Sequence, residues 1–427
     1  MEEIKANAER RQRALLIGIH AEGTSREEAE DHVEELASLT DTMGAEVAGM
    51  EIVRMGRPTP HFYLGSGKAE EIKAIAEAEE ADVLIFDFDL SPSQQRNWEK
   101  FTERAVIDRQ EVILDIFASR AQTREARLQV GLARMEYSLP RLRRAWTHLE
   151  RQRGGAGLRG GPGELQLEVD RRAAMERIAR FKRELKQVRM QRQVQRKSRS
   201  TRPIPSAAIV GYTNAGKSSL LRALTGADVF IEDKLFATLD PTTRRIELSN
   251  RQPLLLTDTV GFIRKLPHDL VEAFKATLEE AAIADFIVHV LDVSHPKIEE
   301  HYAVTNEVLK DLHAVHKKTI LVLNKADVDH DPLIHARMAR HNPLCYEVST
   351  HTGQGLEVLR EAMASHFVLP MERFRLHIPH GRFDVVDLVH REGEVLTQKH
   401  DETGVWLEAD LPVRFKAQFE EFIKEKS

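Results

Sequence analysis

Apolar runs alternate with helical periodicities over the first 120 residues of the chain. RALLIGI (13–19) and ADVLIFDFD (81–89) are continuous apolar runs of the kind that form buried strands. Segments 26–39 and 67–80 repeat apolar residues at helical spacing. Because strands that alternate with helices pair in parallel, residues 1–120 are predicted to form a small α/β domain.

The pattern changes over residues 121–202, where Arg, Gln and Leu dominate. A helix is predicted over about 123–152, with a stop or kink near Pro140, whose ring clashes with the preceding turn. The loop 154–163 holds six Gly and one Pro, a density that no helix tolerates. A second helix over about 164–199, roughly 54 Å long, would complete a hairpin.

A Pro-marked linker, TRPIPS (201–206), introduces a second α/β pattern, which we assign to residues 203–368. Its predicted strands are AAIVG, LLLTD, DFIVHVLD, TILVLN and LCYEVS. From 369 to 427, shorter alternating runs followed by a helical pattern predict a small α+β domain.

Composition places the chain among globular proteins, since 41% of its 427 residues are hydrophobic and 30% are charged. No apolar run reaches the roughly 18 residues of a membrane span, and the charged N-terminal segment lacks an apolar signal core. Cys345 is the single cysteine, which excludes internal disulfides and multi-Cys metal sites. We therefore expect a cytoplasmic protein without an integral membrane segment. We also expect a monomer.

The net charge of −6 conceals a strong asymmetry. Residues 120–202 hold 23 Lys and Arg against 8 Asp and Glu, a net of +15, and the remainder of the chain has a net of −21. A basic belt in an acidic protein indicates contact with a polyanion, and nucleic acid is the first candidate. The alternative is a solvated helical face.

A phosphate-binding motif lies at the start of the second α/β region. GYTNAGKS (211–218) fits GxxxxGK[ST], follows the strand AAIVG and opens a helical segment, which is the context the motif requires. Gly211 and Gly216 allow backbone N–H groups to face phosphate. Lys217 would neutralise the β- and γ-phosphates, and Ser218 would place a hydroxyl on Mg²⁺.

Three later segments indicate which base is bound. DTVG (258–261) ends a strand, so Asp258 would lie near the metal and Gly261 near the γ-phosphate. In NKAD (324–327), Asp327 can accept hydrogen bonds from two neighbouring donors that guanine offers and adenine does not. STHTG (349–353) could contact the base through backbone N–H groups. This order after a P-loop predicts a GTP site.

These elements resemble translation-factor-like GTPases, and further segments narrow the resemblance to the HflX family. The segments are LFATLDPTTRR (235–245), DTVGFIRKLPHDLVEAFKATLEE (258–280) and WTHLERQRGGAGLRGGPGELQLEVDRR (146–172). The resemblance implies an α/β fold: a P-loop GTPase domain preceded by a small α/β domain and a long helical hairpin, with a small α+β C-terminal domain. It also implies a cytoplasmic GTPase that binds the large ribosomal subunit, splits stalled or idle ribosomes and acts under stress.

The motifs and the resemblance together give a set of expected site residues. Lys217, Thr238 and Gly261 are expected to act in catalysis, with Ser218 and Thr238 on Mg²⁺. The expected nucleotide contacts are Gly211, Tyr212, Thr213, Asn214, Ala215, Gly216, Lys217, Ser218, Phe236, Ala237, Thr238, Leu239, Asp240, Asp258, Thr259, Val260, Gly261, Asn324, Lys325, Ala326, Asp327, Ser349, Thr350 and His351.

Two positions leave alternatives open. Phe262 follows DTVG, where Ras-like enzymes carry a water-orienting Gln, so slow intrinsic hydrolysis is expected. Phe262 could also simply pack on the core. Asn214 resembles the P-loop Asn of potassium-dependent GTPases, which adds K⁺ as a candidate cofactor, or it caps the loop.

The leading prediction is a GTPase that binds the large ribosomal subunit and its RNA and dissociates ribosomes, with hydrolysis to GDP and phosphate. One alternative is an ATP-using RNA remodelling protein with a second nucleotide site in residues 13–120, although no phosphate loop occurs there. Another is a GTP-dependent regulator of protein partners, for which the basic belt has no purpose.

Overall fold

The computed structural model of the chain describes residues 11–21, 23, 25–145, 162–199, 204–226, 235–249, 252–265, 280–367 and 371–426. These residues form two compact units. The first holds the residues up to Ile246 together with Pro253–Leu359, and the second holds Glu247–Gln252 together with the residues from Arg360 onward. The four predicted domains remain a prediction, whereas the predicted α/β fold class is confirmed.

A parallel four-stranded sheet forms the start of the first unit. Its strands are β1 (Arg13–His20), β2 (Glu46–Arg54), β3 (Val83–Phe86) and β4 (Ala105–Asp108). Its helices are α1 (Arg26–Met43), α2 (Ser66–Ala78), α3 (Pro92–Thr102) and α4 (Arg109–Arg120). The strand order is β2-β1-β3-β4, with α1 and α4 covering one face and α2 and α3 the other. The parallel sheet predicted for this region is therefore present.

Local sequence fixes the ends of these helices. Ser25 and Glu28 form a reciprocal capping box at the start of α1, and Gly44 ends it in the left-handed conformation at φ 99°. Ser91 and Gln94 form a second capping box at α3. Such caps satisfy backbone groups that have no partner within the helix.

Two long helices follow, α5 (Arg124–Ala145) and α6 (Pro162–Arg199). They pack through Leu128 and Leu132 of α5 and Leu185 of α6, with Phe181 beside Gly131. Pro140 does not stop α5, which continues to Ala145. The Gly-rich loop predicted at 154–163 lies outside the described residues except for its last two positions, where α6 has begun.

The second α/β region contains a six-stranded sheet. Its strands, in the order β10-β9-β8-β5-β7-β6, are β5 (Ser206–Gly211), β6 (Thr242–Glu247), β7 (Pro253–Asp258), β8 (Phe286–Asp292), β9 (Thr319–Asn324) and β10 (Cys345–Glu347). Its described helices are α7 (Lys217–Thr225), α8 (Ile298–Asp311), α9 (Ile334–His341) and α10 (Leu356–Phe367). Because β5, β7, β8 and β9 run parallel, their carboxyl ends share one edge, where ligands bind in such sheets.

The second unit contains an antiparallel sheet of order β12-β13-β11-β14. Its elements are β11 (Met371–Pro379), α11 (Phe383–Glu392), β12 (Glu394–His400), β13 (Gly404–Pro412), α12 (Lys416–Phe419) and β14 (Ile423–Lys426). Val385 and Val389 of α11 pack on the inward side chains of β11 and β13. The predicted α+β class of the tail is present. The predicted closing helix is wrong, because that segment forms only the four-residue α12 before the strand β14, and the helix α11 lies where strands were predicted.

His289 of β8 is a neutral imidazole inside the second sheet. Its ring is fully buried, stacks on Tyr302 at 5.3 Å, and has no hydrogen-bond partner for either nitrogen among the described residues. Burial, and to a lesser extent the charge of Lys217, lowers the pKa of His289 to about 3. In the unfolded chain this imidazole binds a proton with a pKa near 6.5, whereas in the folded chain it stays neutral down to about pH 3. The free energy of unfolding therefore falls as the pH drops below about 6.5.

We expect acidification to destabilise the protein through His289. Between pH 6.5 and pH 5, this group alone should remove about 2 kcal/mol of the free energy of unfolding, at about 1.4 kcal/mol per pH unit. The melting temperature of His289→Leu should therefore fall less than that of the wild type between pH 7 and pH 5. Equal falls in the two proteins would contradict the assignment.

Candidate functional site

The phosphate-binding loop 211–218 (the P-loop) packs so tightly against the sheet that two of its positions require glycine. Gly211 has φ 151°, and a Cβ there would lie 2.2 Å from the carbonyl oxygen of Val290. Gly216 has φ 91°, and a Cβ there would lie 2.1 Å from Nδ2 of Asn324. Since only glycine combines these dihedral angles with this contact distance, the motif glycines bring the loop against the sheet.

Lys217, the first residue of α7, has an ammonium group inside the site. It is 6% exposed, and Nζ donates a hydrogen bond of 2.6 Å to the carbonyl oxygen of Tyr212. Burial lowers its pKa to about 8, against an opposing effect of the Asp258 charge. Gly261 faces this group, and a Cβ there would lie 2.9 Å from Nζ. A buried cation without a side chain opposite leaves room for a phosphate.

Oxygen atoms from three segments converge beside Lys217. Ser218 Oγ donates to Asp258 Oδ2 at 2.6 Å and lies 2.8 Å from Thr238 Oγ1, which donates to the same carboxylate oxygen at 3.0 Å. Asp258 is fully buried, and burial raises its pKa. Its Oδ1 has no hydrogen-bond partner among the described residues. Hydroxyl and carboxylate oxygens in this arrangement fit Mg²⁺, which prefers hard oxygen ligands.

The opposite end of the site is built from two loops. Asn324 joins them, because its Nδ2 donates to the carbonyl oxygen of Ala215 at 3.0 Å and its Oδ1 accepts from the Thr350 amide at 3.2 Å. Ser349 Oγ donates to Asp327 Oδ1 at 2.5 Å, and this bond lowers the pKa of Asp327. The Asp327 carboxylate is thus kept ionised and ready to accept hydrogen bonds from a base edge.

These groups surround one cavity of about 340 Å³. Of the expected nucleotide contacts, those lining it are Thr213, Asn214, Gly216, Lys217, Ser218, Phe236, Ala237, Thr238, Thr259, Gly261, Asn324, Lys325, Asp327, Thr350 and His351. Those outside the lining are Gly211, Tyr212, Ala215, Leu239, Asp240, Asp258, Val260, Ala326 and Ser349. Sequence reasoning missed Ser219 and Val328, which line the cavity directly beside predicted residues.

Two residues that the sequence singled out face away from the cavity. Phe262 is 1% exposed and packs in a core cluster with Ala208 and Val210, so its ring lies in the interior. Asp240 accepts hydrogen bonds from the backbone N–H groups of Gln122 and Thr123 at 3.0 and 3.1 Å. Its predicted nucleotide contact stays a prediction, while the observed partner is the start of α5.

Among the described residues, no group of three or more His, Cys, Asp or Glu side chains could hold a metal ion. In the same part of the chain, no helix is both long and apolar enough to cross a membrane.

The sheet, the P-loop and the ordered motifs at its carboxyl edge define a P-loop GTPase, an enzyme that hydrolyses GTP. Family models described as "GTP-binding GTPase N-terminal", "GTP-binding GTPase Middle Region" and "50S ribosome-binding GTPase" match residues 30–118, 120–199 and 206–325. The chain belongs to the HflX family of GTPases.

Individual relatives cover most or all of the chain. GTPase HflX of Akkermansia muciniphila is 47% identical over the full length of both chains. GTPase HflX of Escherichia coli K12 is 44% identical over 86% of each chain. A solved structure of a GTP-binding protein from Sulfolobus solfataricus in complex with GDP is 26% identical, covering 82% of this chain and 97% of that one with a TM-score of 0.46.

The lowered pKa of Lys217 predicts proton uptake on nucleotide binding. Phosphate favours the ammonium form, so the neutral fraction of this amine must gain a proton when GDP binds. With a pKa of about 8, about half a proton per GDP should be taken up at pH 8 and about a tenth at pH 7. Calorimetry in two buffers of different ionisation enthalpy measures this uptake.

Lys217→Arg is the matched control, because a guanidinium stays charged throughout this range. Its proton uptake should not rise between pH 7 and pH 8. A wild-type protein that behaves in the same way would disprove the lowered pKa.

The position of Asp327 predicts base selectivity. Asp327→Asn should weaken GTP binding about 10- to 100-fold, since a carboxylate that accepts two hydrogen bonds is worth about 1–3 kcal/mol of discrimination. The variant should gain preference for xanthosine nucleotides, whose 2-oxo group reverses one hydrogen bond. Competition binding measures both effects, with Asp329→Asn, an exposed carboxylate two residues further on, as control. Unchanged kcat/KM for GTP would refute the assignment.

Proposed function

We propose that this GTPase binds the large ribosomal subunit and dissociates stalled or idle ribosomes under stress, hydrolysing GTP to GDP and phosphate. We further propose that it acts as a cytoplasmic monomer. The observation that carries the proposal is the combination, in one chain, of a GTPase site with a basic pair of long helices. The family description "50S ribosome-binding GTPase" for residues 206–325 supports the choice of partner.

The site residues would divide the work of GTP binding and hydrolysis. Lys217 would neutralise the phosphates, the Gly261 amide would face the γ-phosphate, and Asp327 would select guanine. Ser218 and Thr238 would hold Mg²⁺, which when bound neutralises charge on the β- and γ-phosphates. The side chain of Asn214, at φ 59° and on the cavity wall, stays the candidate contact for K⁺.

The helices α5 and α6 supply the candidate RNA contact. Along the middle of α6, six basic side chains are exposed to solvent: Arg172, Arg177, Arg180, Lys182, Arg183 and Lys186. Phosphate groups of RNA are bound by such exposed cations in a salt-dependent manner. Apolar contacts between α5 and α6 fix the position of the helix that carries these basic side chains.

The alternative function requires an ATP site at the carboxyl edge of the first sheet, but side chains of the protein occupy this edge. At the end of β3, Asp87 binds Arg109 at 2.8 Å and Lys265 at 2.8 Å. At the end of β4, Asp108 binds Arg141 at 3.1 Å and accepts from the Tyr137 hydroxyl at 2.9 Å. Because the protein's own side chains fill the edge where parallel sheets bind ligands, this alternative is disfavoured.

Charge reversal on α6 should reduce ribosome binding directly, and subunit splitting only as a consequence. Arg171→Glu combined with Arg172→Glu should lower affinity for the large subunit and flatten its salt dependence. Co-sedimentation under GTP, GDP and a non-hydrolysable analogue measures binding, and subunit profiles measure splitting. Arg337→Glu with Arg340→Glu, exposed on α9, is the matched control. Equal losses in both double variants would contradict a specific role for α6.

Replacing residues 154–163 with a flexible segment of equal length should have the opposite effect. We expect subunit splitting to fall far more than binding, since this segment carries only Arg159 as a charge. Normal splitting by that replacement would show that the segment is a passive connector.

A further inference from the structure

The segment Phe236–Asp240 is held at both of its ends, and Thr238 lies between the two points of attachment. Thr238 Oγ1 contacts Ser218 Oγ at 2.8 Å and Asp258 Oδ2 at 3.0 Å. Two residues later, the Asp240 carboxylate leaves the cavity and turns to the start of α5. The position of Thr238 in the site therefore depends on where Asp240 is held.

Three donors on the two residues that immediately precede α5 bind the Asp240 carboxylate. The Gln122 and Thr123 amides donate to Oδ2 at 3.0 and 3.1 Å, and the Thr123 hydroxyl donates to Oδ1. A carboxylate at a helix N-terminus is also favoured by the helix dipole. Three hydrogen bonds from the exposed residues Gln122 and Thr123 thus converge on the Asp240 carboxylate.

Thr123 has two roles at this point, because its hydroxyl also accepts a hydrogen bond from the Ala126 amide at 3.1 Å. That bond caps α5, as side-chain oxygens of Thr do at helix starts. One hydroxyl group therefore joins the cap of α5 to the segment that carries Thr238.

Apolar packing fixes the other end of the segment. Phe236, at φ 55°, is 3% exposed and meets the ring of Phe117 in α4 edge to face at 4.7 Å. Leu239 is buried in the same core cluster as Val112 and Ile113 of α4. The chain on both sides of Thr238 is thus attached to α4 and to the start of α5.

We propose that Thr123 is a positioning residue for GTP hydrolysis, acting through Asp240 to hold Thr238 against Ser218 and Asp258. The proposal rests on the site roles proposed above. Because coupling between sites is reciprocal, contacts that Thr238 gains with a triphosphate and Mg²⁺ also tighten the hold of Asp240 on α5. The bound nucleotide, GTP or GDP, would thereby change how firmly the start of α5, the first of the two basic helices, is held.

Three substitutions at one position separate positioning from capping. Thr123→Val removes the hydroxyl, Thr123→Ser keeps it, and Thr123→Asp keeps an oxygen that can cap α5 but repels Asp240. We expect kcat for GTP to fall at least about fivefold in the Val and Asp variants, since displaced catalytic groups lose rate, with GDP affinity within about twofold of wild type. The Ser variant should be near wild type.

Thr42→Val is the matched control, because the Thr42 hydroxyl donates to the Ser38 carbonyl oxygen within α1. Normal kcat in Thr123→Asp with reduced kcat in Thr123→Val would reduce Thr123 to a helix cap and overturn the proposal. So would equal losses of kcat and of GDP affinity.

Hydrogen exchange gives a readout that does not depend on turnover. The Gln122 and Thr123 amides should exchange more slowly with Mg²⁺ and a non-hydrolysable GTP analogue than with Mg²⁺ and GDP. Thr238→Ala should abolish this difference. Equal exchange in the two nucleotide states, with binding of both confirmed by thermal shift, would overturn the proposal, whereas failure of either nucleotide to bind would overturn the proposed function itself.

Discussion

The close approach of the P-loop to its own sheet is the constraint on which the site depends. Gly211 lies against the backbone of β8 and Gly216 against Asn324, at distances that exclude any side chain. This contact carries Lys217 into the interior, where burial lowers its pKa and makes charge compensation by a phosphate favourable. It also lets Asn324 bond to the P-loop and to the Thr350 loop, so the phosphate end and the base end of the cavity form one rigid frame.

A buried ion network connects this frame to the first sheet. Burial alone would lower the pKa of Arg109, but the neighbouring carboxylates of Glu35 and Asp87 raise it, so the guanidinium stays charged inside the protein. The Tyr212 hydroxyl of the P-loop donates to Glu35 and accepts from the Arg264 amide at 3.0 Å. Since buried ion pairs add little net stability, we infer that this network specifies the placement of the P-loop and of the segment after Gly261.

Sequence predicted the parts of the structure that local rules determine. The P-loop lies at a strand-to-helix turn as predicted, because its glycines and Lys217 suit only that geometry. Sequence could not show that Asp240 turns to Thr123, because the two residues lie 117 positions apart and neither belongs to a motif that pairs them. The predicted stop near Pro140 is wrong, because α5 includes this proline and continues to Ala145, whereas the alternative of a kink stays a prediction.

Phe262 lies in the interior and therefore cannot take part directly in catalysis. Its amide donates to the Gly211 carbonyl at 3.1 Å, and its carbonyl accepts from the Thr213 amide at 2.8 Å, so the backbone is fixed while the ring points into the core. A ring in that position orients no water molecule. Catalysis of phosphoryl transfer relies on positioning, so under the site roles proposed above the rate would depend on how the segments that carry Thr238 and Gly261 are held. Those segments are held by Glu35, Asp87 and Thr123, which lie outside the nucleotide-binding sheet. Under the proposed roles, a partner that shifts these three attachment points would change the hydrolysis rate without inserting a group of its own.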